Sequence, residues 1–382
     1  MTRRIRGAVL ERIGDAAPYA QSRPIRIVEA ELDDPGPGEL LVRIEAAGVC
    51  HSDLSVVSGV RPRPVPMLLG HEAAGIVVAA GAQATTPVGA RVVMTFLPRC
   101  GECAACATEG RAPCEPGSAA NGAGVLMRGG TRLHDGGRDL AHHLGVSGFA
   151  DHAVVDERSV VPVGHDVPPD VAALMGCAVL TGGGAVLNSA SLRAGETLVV
   201  VGLGGVGLAA LLTGLALGAS RVTAVDVQPA KLDTARALGA HAAMTPDEAA
   251  AAGVTADVVV EAVGRASAFA QAVALTGPGG RTVTVGLPAP SETAEVSPLG
   301  LVSQGRSIIG SYLGGCVPAR DIPLFLDLWR AGRLPVERLV SAHIRLDDIN
   351  EAMDDLAAGR QIRQLIHFPH DPAQADQGAT PA

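Results

Sequence analysis

Hydrophobic and polar residues follow two different patterns along the chain. Up to about residue 100, and again over 148–163, apolar residues come in short extended runs such as ELLVRIEAAGV (39–49) and EAAGIVVAAG (72–81), separated by Pro- and Gly-rich turns. This pattern predicts short β-strands, and no long amphipathic helix is evident in it. The stretch 100–145 is Gly-rich, which predicts irregular structure.

From about residue 179 the pattern changes and predicts strands that alternate with helices. The predicted strands are LVVVG (198–202), RVTAVD (221–226), ADVVVEAVG (256–264), GRTVTVGL (280–287) and RSIIGSYL (306–313). Helices are expected between successive strands except before the last one, which follows loop-like sequence, and another helix is expected over 318–334. Such alternation predicts βαβ units and a parallel sheet.

Length and composition narrow the class of protein. A chain of 382 residues usually forms two domains, and the net charge of −9 without a basic cluster argues against a nucleic-acid partner. The N-terminus has no apolar segment typical of a secretory signal, and the polar tail 370–382 is expected to be disordered. Four of the seven Cys lie within 15 residues, which favours metal binding in a reducing, cytoplasmic compartment over disulfides.

One segment is apolar enough to suggest a membrane span. Residues 197–220 contain no charge over 24 positions, but they include six Gly and begin with β-branched residues. A buried strand followed by a glycine turn and an apolar helix is the better interpretation, so we expect no membrane partner.

The glycine turn has the pattern of a dinucleotide site. GLGGVG, from Gly202 through Gly204 and Gly205 to Gly207, fits G-x-G-x-x-G between a strand and a helix, and the next strand ends in Asp226, 19 residues after Gly207. Glycines let a pyrophosphate approach the helix N-terminus, and the acidic residue accepts hydrogen bonds from the adenosine ribose. Asp226 would repel a 2′-phosphate, which predicts NAD over NADP. Lys231 is either a ribose contact or a solvated charge, and a ligand-free βα turn is the alternative for the motif.

The clustered cysteines predict a structural metal site. They are spaced C-x2-C-x2-C-x7-C, at Cys100, Cys103, Cys106 and Cys114. Four thiolates at this spacing can enclose Zn²⁺ and leave no open position. An iron–sulfur cluster also uses C-x2-C-x2-C, but the lobe stands beside a dinucleotide motif without a redox partner domain, so zinc is favoured.

Other metal-capable residues are separated along the chain. Cys50, His71 and Cys177 would each alone be read as buried packing residues, and Cys316 is left over. Together with GVCHSD, GHEAAGIV, GCAVLTGGGA, GLGGVG and GRQIRQLI, in this order, they resemble the zinc-dependent medium-chain alcohol dehydrogenases over about residues 5–368. The long segment between Cys114 and Phe149 is similar to the animal-type and formaldehyde-dehydrogenase branch.

The resemblance implies an α/β architecture: a GroES-like β-rich catalytic domain plus a Rossmann doubly wound parallel sheet. The catalytic domain would comprise 1–178 and 314–369, with a zinc lobe at 96–118, and the NAD-binding domain 179–313. The resemblance further implies two zinc ions per chain and a homodimer that pairs through residues near 300–316.

The resemblance also implies roles for individual residues. Cys50, His71 and Cys177 would hold the catalytic zinc, Glu72 would be a transient or outer ligand, Asp53 would orient His71, and Ser52 would pass on the alcohol proton. The implied cofactor contacts are His51, Arg363, Val263, Gly264, Val285 and Leu313, and the implied pocket residues are Phe96 and Phe149, with core packing as the alternative for both.

Two positions depart from the family. Ser55 stands where the proton relay often ends in His, so the proton would leave through water or through Ser55. Arg61 stands at the implied pocket mouth, where other members have apolar or acidic residues. It would steer an anionic substrate or, in the simpler interpretation, point to solvent.

Three functions are therefore weighed. The first is reversible hydride transfer between a primary or secondary alcohol and NAD. The second is oxidation of the adduct that formaldehyde forms with a small thiol, for which Arg61 would suit an acidic adduct. The third is a catalytically silent NAD-binding protein, which the retained ligand residues and Ser52 disfavour.

Overall fold

In the computed structural model, residues 2–368 are described, and the predicted disordered tail (370–382) lies outside them. The strands, numbered along the chain, are β1 Thr2–Leu10, β2 Ile25–Asp33, β3 Glu39–Val49, β4 Met67–Leu68, β5 Ala73–Ala80, β6 Arg91–Met94, β7 Leu133–Asp135, β8 Arg138–Asp139, β9 Ala141–His142, β10 His152–Asp156, β11 Val160–Val163, β12 Thr197–Val201, β13 Arg221–Val225, β14 Ala242–Met244, β15 Ala256–Glu261, β16 Thr276–Thr284, β17 Ser307–Gly310, β18 Ala342–Ile344 and β19 Gln364–His367.

The helices are short in the first half of the chain and longer in the second. They are α1 Tyr19–Ser22, α2 His51–Val57, α3 Glu115–Ala123, α4 Pro169–Leu174, α5 Leu180–Gly184, α6 Gly205–Ala216, α7 Pro229–Ala237, α8 Pro246–Ala251, α9 Ala266–Ala274, α10 Pro298–Gln304, α11 Pro318–Arg330 and α12 Ile349–Ala357. Single 3₁₀ turns lie at Cys106–Thr108, Glu157–Ser159, Leu313–Gly315, Val336–Leu339 and Leu346–Asp348.

Two mostly antiparallel sheets form the β-rich part of the molecule. One has the order β8-β7-β2-β1-β4-β9, and the other has β11-β6-β5-β3-β19-β18 with β10 also paired to β3. The strand β3 has the predicted bounds, and it lies at the centre because its long apolar run is buried along nearly its whole length. The C-terminal strand β19 pairs with the end of β3, so the chain returns to the β-rich part after the second sheet system.

The third sheet is parallel, with the order β14-β13-β12-β15-β16-β17. Its strands all lie between Thr197 and Gly310, and the apolar interiors of β12, β13 and β15 are fully covered, as in a sheet with helices on both faces. The strand order reverses between β12 and β15, so the carboxyl ends of these two strands flank the crevice where doubly wound sheets bind ligands.

A continuous helical stretch, Pro169–Ser189, joins the β-rich part to the parallel sheet. It combines α4 and α5 with π-helical turns at Met175–Val179 and Ala185–Ser189. It is the helix of residues 2–368 that is long and apolar enough to cross a membrane, but 83% of that window is buried inside the protein, as expected of a core helix. The uncharged segment 197–220 instead divides into β12, a turn and α6, as the sequence predicts.

Two helices occur where the sequence analysis expected irregular chain. The helix α3 lies within 100–145, with Pro116 in its first turn and Gly124 ending it in the left-handed conformation. The helix α10 precedes β17, and the Ser297 hydroxyl caps it by accepting the Gly300 N–H at 3.2 Å. Both predictions of loop were wrong because end-capping residues, rather than an apolar stripe, define these short helices.

His142 is expected to make stability depend on pH. Its imidazole is fully buried, Nε2 accepts the Arg132 N–H at 3.2 Å, and burial lowers its pKa to about 3. The unfolded chain binds a proton near pH 6.5, so the stabilisation from the neutral ring is complete above that pH and is lost as pH falls toward 3.

We expect the free-energy difference between the wild type and His142→Gln, a neutral hydrogen-bonding replacement, to shrink by about 2 kcal/mol between pH 6.5 and 5. Urea unfolding at fixed protein and zinc concentrations measures this difference. A difference that does not change with pH would show that His142 is not protonated on unfolding.

Candidate active site and metal centres

The stretch from Cys50 to Asp53 folds as the start of a helix. Cys50 follows β3 directly and is the N-cap of α2, with extended backbone angles. The Asp53 carboxylate turns back and accepts the Cys50 N–H through Oδ2 at 2.9 Å. This capping box fixes the Cys50 thiol at the junction of strand and helix.

Three potential metal ligands, far apart in sequence, meet at this junction. The Sγ atoms of Cys50 and Cys177 and a ring nitrogen of His71 all lie within 4.8 Å of one another, and all three residues are buried. Cys177 Sγ is 3.5 Å from His71 Nε2. His71 follows Gly70, whose φ of +91° makes the turn after β4, and Cys177 lies in the first π-helical turn of 169–189.

A hydrogen bond to Asp53 sets the orientation of the His71 ring. Its Nδ1 lies 3.0 Å from Asp53 Oδ1, so Nδ1 carries the hydrogen and Nε2 is left to coordinate a metal. His143 Nδ1 lies 3.2 Å from the same carboxylate oxygen, and its ring meets that of His71 edge to face. Burial works to raise the pKa of Asp53, but the two imidazoles outweigh it and hold that pKa below its usual value.

A second buried charge pair lies on the other side of the junction. Glu72 Oε1 is 3.1 Å from Arg363 Nη1, and Gly48 leaves the space that the Glu72 carboxylate occupies. Neither Glu72 oxygen has an aligned hydrogen-bond partner within residues 2–368, and burial raises the Glu72 pKa to about 7. The charge of Arg363 thus compensates this buried carboxylate only in part, and its oxygens remain without hydrogen-bond donors among the described residues.

This donor set fits a catalytic zinc site. Two thiols and one imidazole are ligands that Zn²⁺ prefers, and three protein ligands leave one position for water or substrate. Glu72, with its unsatisfied oxygens, lies next to His71 in sequence, as an outer ligand would. The structure therefore brings the three predicted ligand residues Cys50, His71 and Cys177 together.

The four cysteines of the lobe also come together. Their Sγ atoms lie within 4.8 Å of one another, with Cys100 and Cys106 Sγ 3.8 Å apart. Backbone N–H groups of Glu102 and Cys103 point at Cys100 Sγ at 3.4 and 3.3 Å, and they lower its pKa to about 6. Such N–H groups stabilise thiolates, so the lobe fits a closed four-sulfur zinc site.

The glycines of the 202–207 turn have three distinct roles. Gly202 has a φ of +91°, and a side chain at Gly207 would come within 1.8 Å of the Gly202 carbonyl oxygen. Nothing lies within 4 Å of the place where a Gly204 side chain would stand, so there is room for a ligand at the N-terminus of α6. Asp226 accepts the Leu203 and Gln228 N–H groups at 2.8 and 2.9 Å, which fixes its carboxylate beside this turn.

The other predicted cofactor contacts surround the same crevice. Arg363 packs where a Gly205 side chain would stand, so it bridges the turn and the Glu72 side of the metal site. His51, on the surface at the start of α2, has a pKa lowered by partial desolvation and then by the positive charges of Lys231 and Arg363. Val263 and Gly264 follow β15, with both N–H groups on the Glu261 carboxylate at 2.7 Å.

The remaining two are buried near the crevice. Val285 follows β16, and Leu313, which begins a 3₁₀ turn, adopts a φ of +51°. A positive φ is unfavourable for leucine, so the surrounding structure must hold this backbone in place.

A cavity opens beside His71. Its lining residues, drawn from both parts of the molecule, are Ser52, Val56, Arg61, Arg63, His71, Phe96, His143, Leu144, Leu287 and Tyr312. Phe96 packs edge to face against both His71 and Tyr312, at centroid distances of 5.7 and 5.8 Å. Ser52 and Phe96, both predicted site residues, thus line the same cavity as His71.

Phe149 does not line this cavity. It is fully buried against Gly70 in the core between the two antiparallel sheets. Its prediction as a pocket residue was wrong because the backbone of Phe149 pairs with Leu69 and directs the ring inward. Core packing, the alternative, is the observed role.

Two further expectations change. Arg61 lines the cavity instead of pointing to solvent. The Ser55 hydroxyl is taken up by donating to the His51 carbonyl at 2.8 Å and is not among the cavity residues.

Sequence reasoning missed several cavity residues. His143, Arg63, Leu144, Leu287 and Tyr312 lie outside the motifs. The pair His142–His143 in an otherwise apolar stretch was an available signal for the first, and the charged R-P-R of 61–63 for the second. The others carry no local signal, since aliphatic and aromatic residues are common throughout such sequences.

Comparison with known proteins agrees with this geometry. Residues 36–165 match the family model of the alcohol dehydrogenase GroES-like domain, and residues 205–330 match that of the zinc-binding dehydrogenases. The chain is 36% identical to the putative alcohol dehydrogenase D of Mycobacterium tuberculosis over 91% of this chain and 97% of that protein. It is 32% identical to the S-(hydroxymethyl)glutathione dehydrogenase of Synechocystis, covering 92% and 99% of the two chains.

A solved structure is similar over the same extent. The benzyl alcohol dehydrogenase of Acinetobacter calcoaceticus superposes with a TM-score of 0.88 and 30% identity, covering 96% of this chain and 100% of that one. The similarity thus includes both the β-rich part and the parallel sheet.

Two glycine variants are expected to separate packing from ligand binding. Gly207→Ala should lower the free energy of unfolding by about 1–3 kcal/mol, because its side chain would collide with the Gly202 carbonyl. Gly204→Ala should change stability by less than about 0.5 kcal/mol, because φ of −76° suits alanine and the space is open.

Gly204→Ala should nevertheless raise the Kd for NADH about tenfold or more, because its methyl group enters the space left for a phosphate. NADH fluorescence measures the Kd, and thermal unfolding provides the stability control. Unchanged NADH binding by a folded Gly204→Ala protein would contradict this placement of the nucleotide.

Proposed function

The chain belongs to the zinc-binding alcohol dehydrogenase family, an oxidoreductase family, and on that premise we propose how its residues carry out the oxidation of an alcohol with NAD. The observation that supports the proposal best is the meeting of Cys50, His71 and Cys177 beside a cavity that Ser52 lines. The retained donor set argues against a catalytically silent protein.

Zinc and NAD would supply the chemistry that the side chains lack. When bound, zinc lowers the pKa of an alcohol hydroxyl and NAD accepts a hydride from its carbon. The protein would hold the metal through Cys50, His71 and Cys177, and Asp53 would keep the hydrogen of His71 on Nδ1 so that Nε2 stays free.

Ser52 is the proposed proton acceptor. It lines the cavity next to His71, so its hydroxyl can receive the hydrogen of the substrate hydroxyl. Since the Ser55 hydroxyl already donates to a carbonyl, the proton would pass from Ser52 to solvent at the cofactor crevice. Phe96, Leu287 and Tyr312 would exclude bulk water from the reacting carbon.

The proposed cofactor position is the crevice at the carboxyl ends of β12 and β15. The pyrophosphate would lie on the N-terminus of α6, near Arg363 and His51, and the ribose would lie near Asp226 and Lys231. Val263, Gly264, Val285 and Leu313 would line the nicotinamide end.

The assembly, zinc content and location are also proposed. We infer two zinc ions per chain, one at the lobe and one at the active site. A homodimer pairing through β17, an edge strand, is supported by exposed Leu299 and Val302 on the preceding helix. The seven free thiols support a reducing, cytoplasmic location.

A thiol-dependent formaldehyde dehydrogenase is the second candidate. Arg61 in the cavity favours it, because the adducts that small acidic thiols form with formaldehyde carry carboxylates. The similarity to an S-(hydroxymethyl)glutathione dehydrogenase also favours this candidate. Formaldehyde oxidation without an added thiol would count against it.

Three cysteine variants are expected to give three different outcomes. Cys50→Ala should bind about one zinc fewer per chain and lose about a hundredfold or more of its turnover of benzyl alcohol, because one of three ligands is gone. Cys103→Ser should also lose one zinc, but with reduced thermal stability, since a structural site contributes to folding.

Cys316→Ser is the matched control. Its buried thiol donates to the Leu180 carbonyl, accepts from the Asn188 amide and belongs to neither donor set, so zinc content and turnover should stay within about twofold of the wild type. Zinc is measured by mass spectrometry and turnover by NADH absorbance. Full activity of a Cys50→Ala protein would refute the assignment.

Cofactor choice is expected to depend on Asp226. The wild type should show a kcat/KM for NAD about a hundredfold or more above that for NADP, because the carboxylate would face the 2′-phosphate. Asp226→Asn should narrow the ratio to about tenfold or less, whereas Asp233→Asn, an exposed equal loss of charge on α7, should leave it unchanged. Comparable values for the two cofactors in the wild type would contradict the NAD proposal.

A further inference from the structure

The cavity beside the predicted zinc ligands is positively charged at one side. Arg61 and Arg63 both line it, on the segment that follows α2, and its other lining residues include no carboxylate. The rest of the lining includes the apolar side chains of Val56, Leu144 and Leu287, together with Ser52 and His71. Two guanidinium groups thus line the same cavity as Ser52 and His71.

The two arginines are not neutralised by the protein. The Arg61 side chain makes no ion pair or hydrogen bond with any residue of 2–368, and Arg63 donates only to the Asn121 carbonyl, at 3.3 Å. Other arginines of the chain reach carboxylates, as Arg132 does at Glu39 (2.7 Å) and Arg281 at Glu196 (2.7 Å). Among residues 2–368, Arg61 and Arg63 thus share one cavity without a carboxylate partner.

Their surroundings make an uncompensated charge unfavourable. Both side chains are half-buried, and burial lowers the pKa of Arg61, with Arg63 adding to that effect and Tyr312 opposing it. A guanidinium that loses hydration without gaining a partner costs free energy, and a neighbouring like charge adds to that cost. An anion bound between the two would relieve both costs, and guanidinium groups bind carboxylate and phosphate oxygens in a fork.

We propose that the substrate is an alcohol whose far end carries an anionic group, a carboxylate or a phosphate, which Arg61 and Arg63 bind while the hydroxyl lies beside Ser52 and His71. The inference rests on the proposed alcohol dehydrogenase function and adds its substrate class. It assigns the specificity of the enzyme to residues that do not take part in the chemical step.

The test compares matched alcohols in the zinc-loaded enzyme with NAD. Hexanol, ω-hydroxyhexanoate and ω-hydroxyhexyl phosphate share a primary hydroxyl and differ at the far end, and the formaldehyde adduct of a small acidic thiol is a fourth substrate. We expect a kcat/KM about tenfold or more higher for at least one anionic alcohol than for hexanol, the effect of one charge-assisted hydrogen bond. The preference should decrease as ionic strength rises.

The double variant Arg61→Gln/Arg63→Gln identifies the binding groups. It should bring kcat/KM for the anionic alcohols down to about that for hexanol measured with the same variant, because glutamine keeps the side chains polar without their charge. Arg4→Gln, an exposed residue on β1, is the matched control for the loss of one positive charge and should keep the preference.

A binding measurement makes the test independent of turnover. Hexanoate, which has no hydroxyl to oxidise, should bind the wild type and the Arg4→Gln protein equally, and its Kd should rise about tenfold in the double variant. Calorimetry with the folded, zinc-loaded proteins measures these values.

Two results would overturn the inference: equal kcat/KM for hexanol and all anionic alcohols, or a preference and a hexanoate Kd that survive in the double variant. If hexanol is oxidised with NAD in those cases, the proposed function stands and only the substrate class fails. If no alcohol is oxidised by the zinc-loaded protein, the proposed function fails, whereas hexanoate binding still decides whether the arginines hold an anion.

Discussion

One buried carboxylate, that of Asp53, connects the parts of the active site. It is fully enclosed, and such a charge is stable only where donors surround it. One oxygen accepts the Cys50 N–H, and the other faces His71 and His143 at 3.0 and 3.2 Å. The same group therefore caps a helix, selects the His71 tautomer and fixes a ring in the cavity wall. Moving it would disturb the metal ligands and the cavity together.

The scaffold brings these groups together from both halves of the molecule. The end of β3 carries Cys50, the turn after β4 carries His71, and the parallel sheet supplies Leu287 and Tyr312 to the opposite wall. Arg363 joins the two halves, because it touches Glu72 on one side and packs into the glycine turn on the other. The candidate active site thus lies between the two sheet systems, and each system supplies only some of its residues.

Sequence reasoning reached the features that depend on local chain geometry. The alternating runs predict β3 and the parallel strands, and the glycines of 202–207 define their turn because positive φ and close packing admit no side chain. It failed where the direction of a side chain decides its role, as for the inward-pointing ring of Phe149. It also failed where end-capping residues define a short helix, as for α3 and α10. The cavity residues Arg63, His143 and Tyr312 come from separate segments, and no local pattern states which of them will face one another.

The helical stretch 169–189 contacts both sheet systems and carries one of the predicted metal ligands. Its first turns pack on β3 and β5, its last turns reach β15 and β16, and Cys177 lies between them in a π-helical turn. A single rod therefore bears on both sheet systems and carries a sulfur donor at mid-length. A change in the angle between the two sheet systems would therefore move the Cys177 sulfur relative to Cys50 and His71. The relative positions of the three predicted metal ligands thus depend on how the two sheet systems are placed against one another.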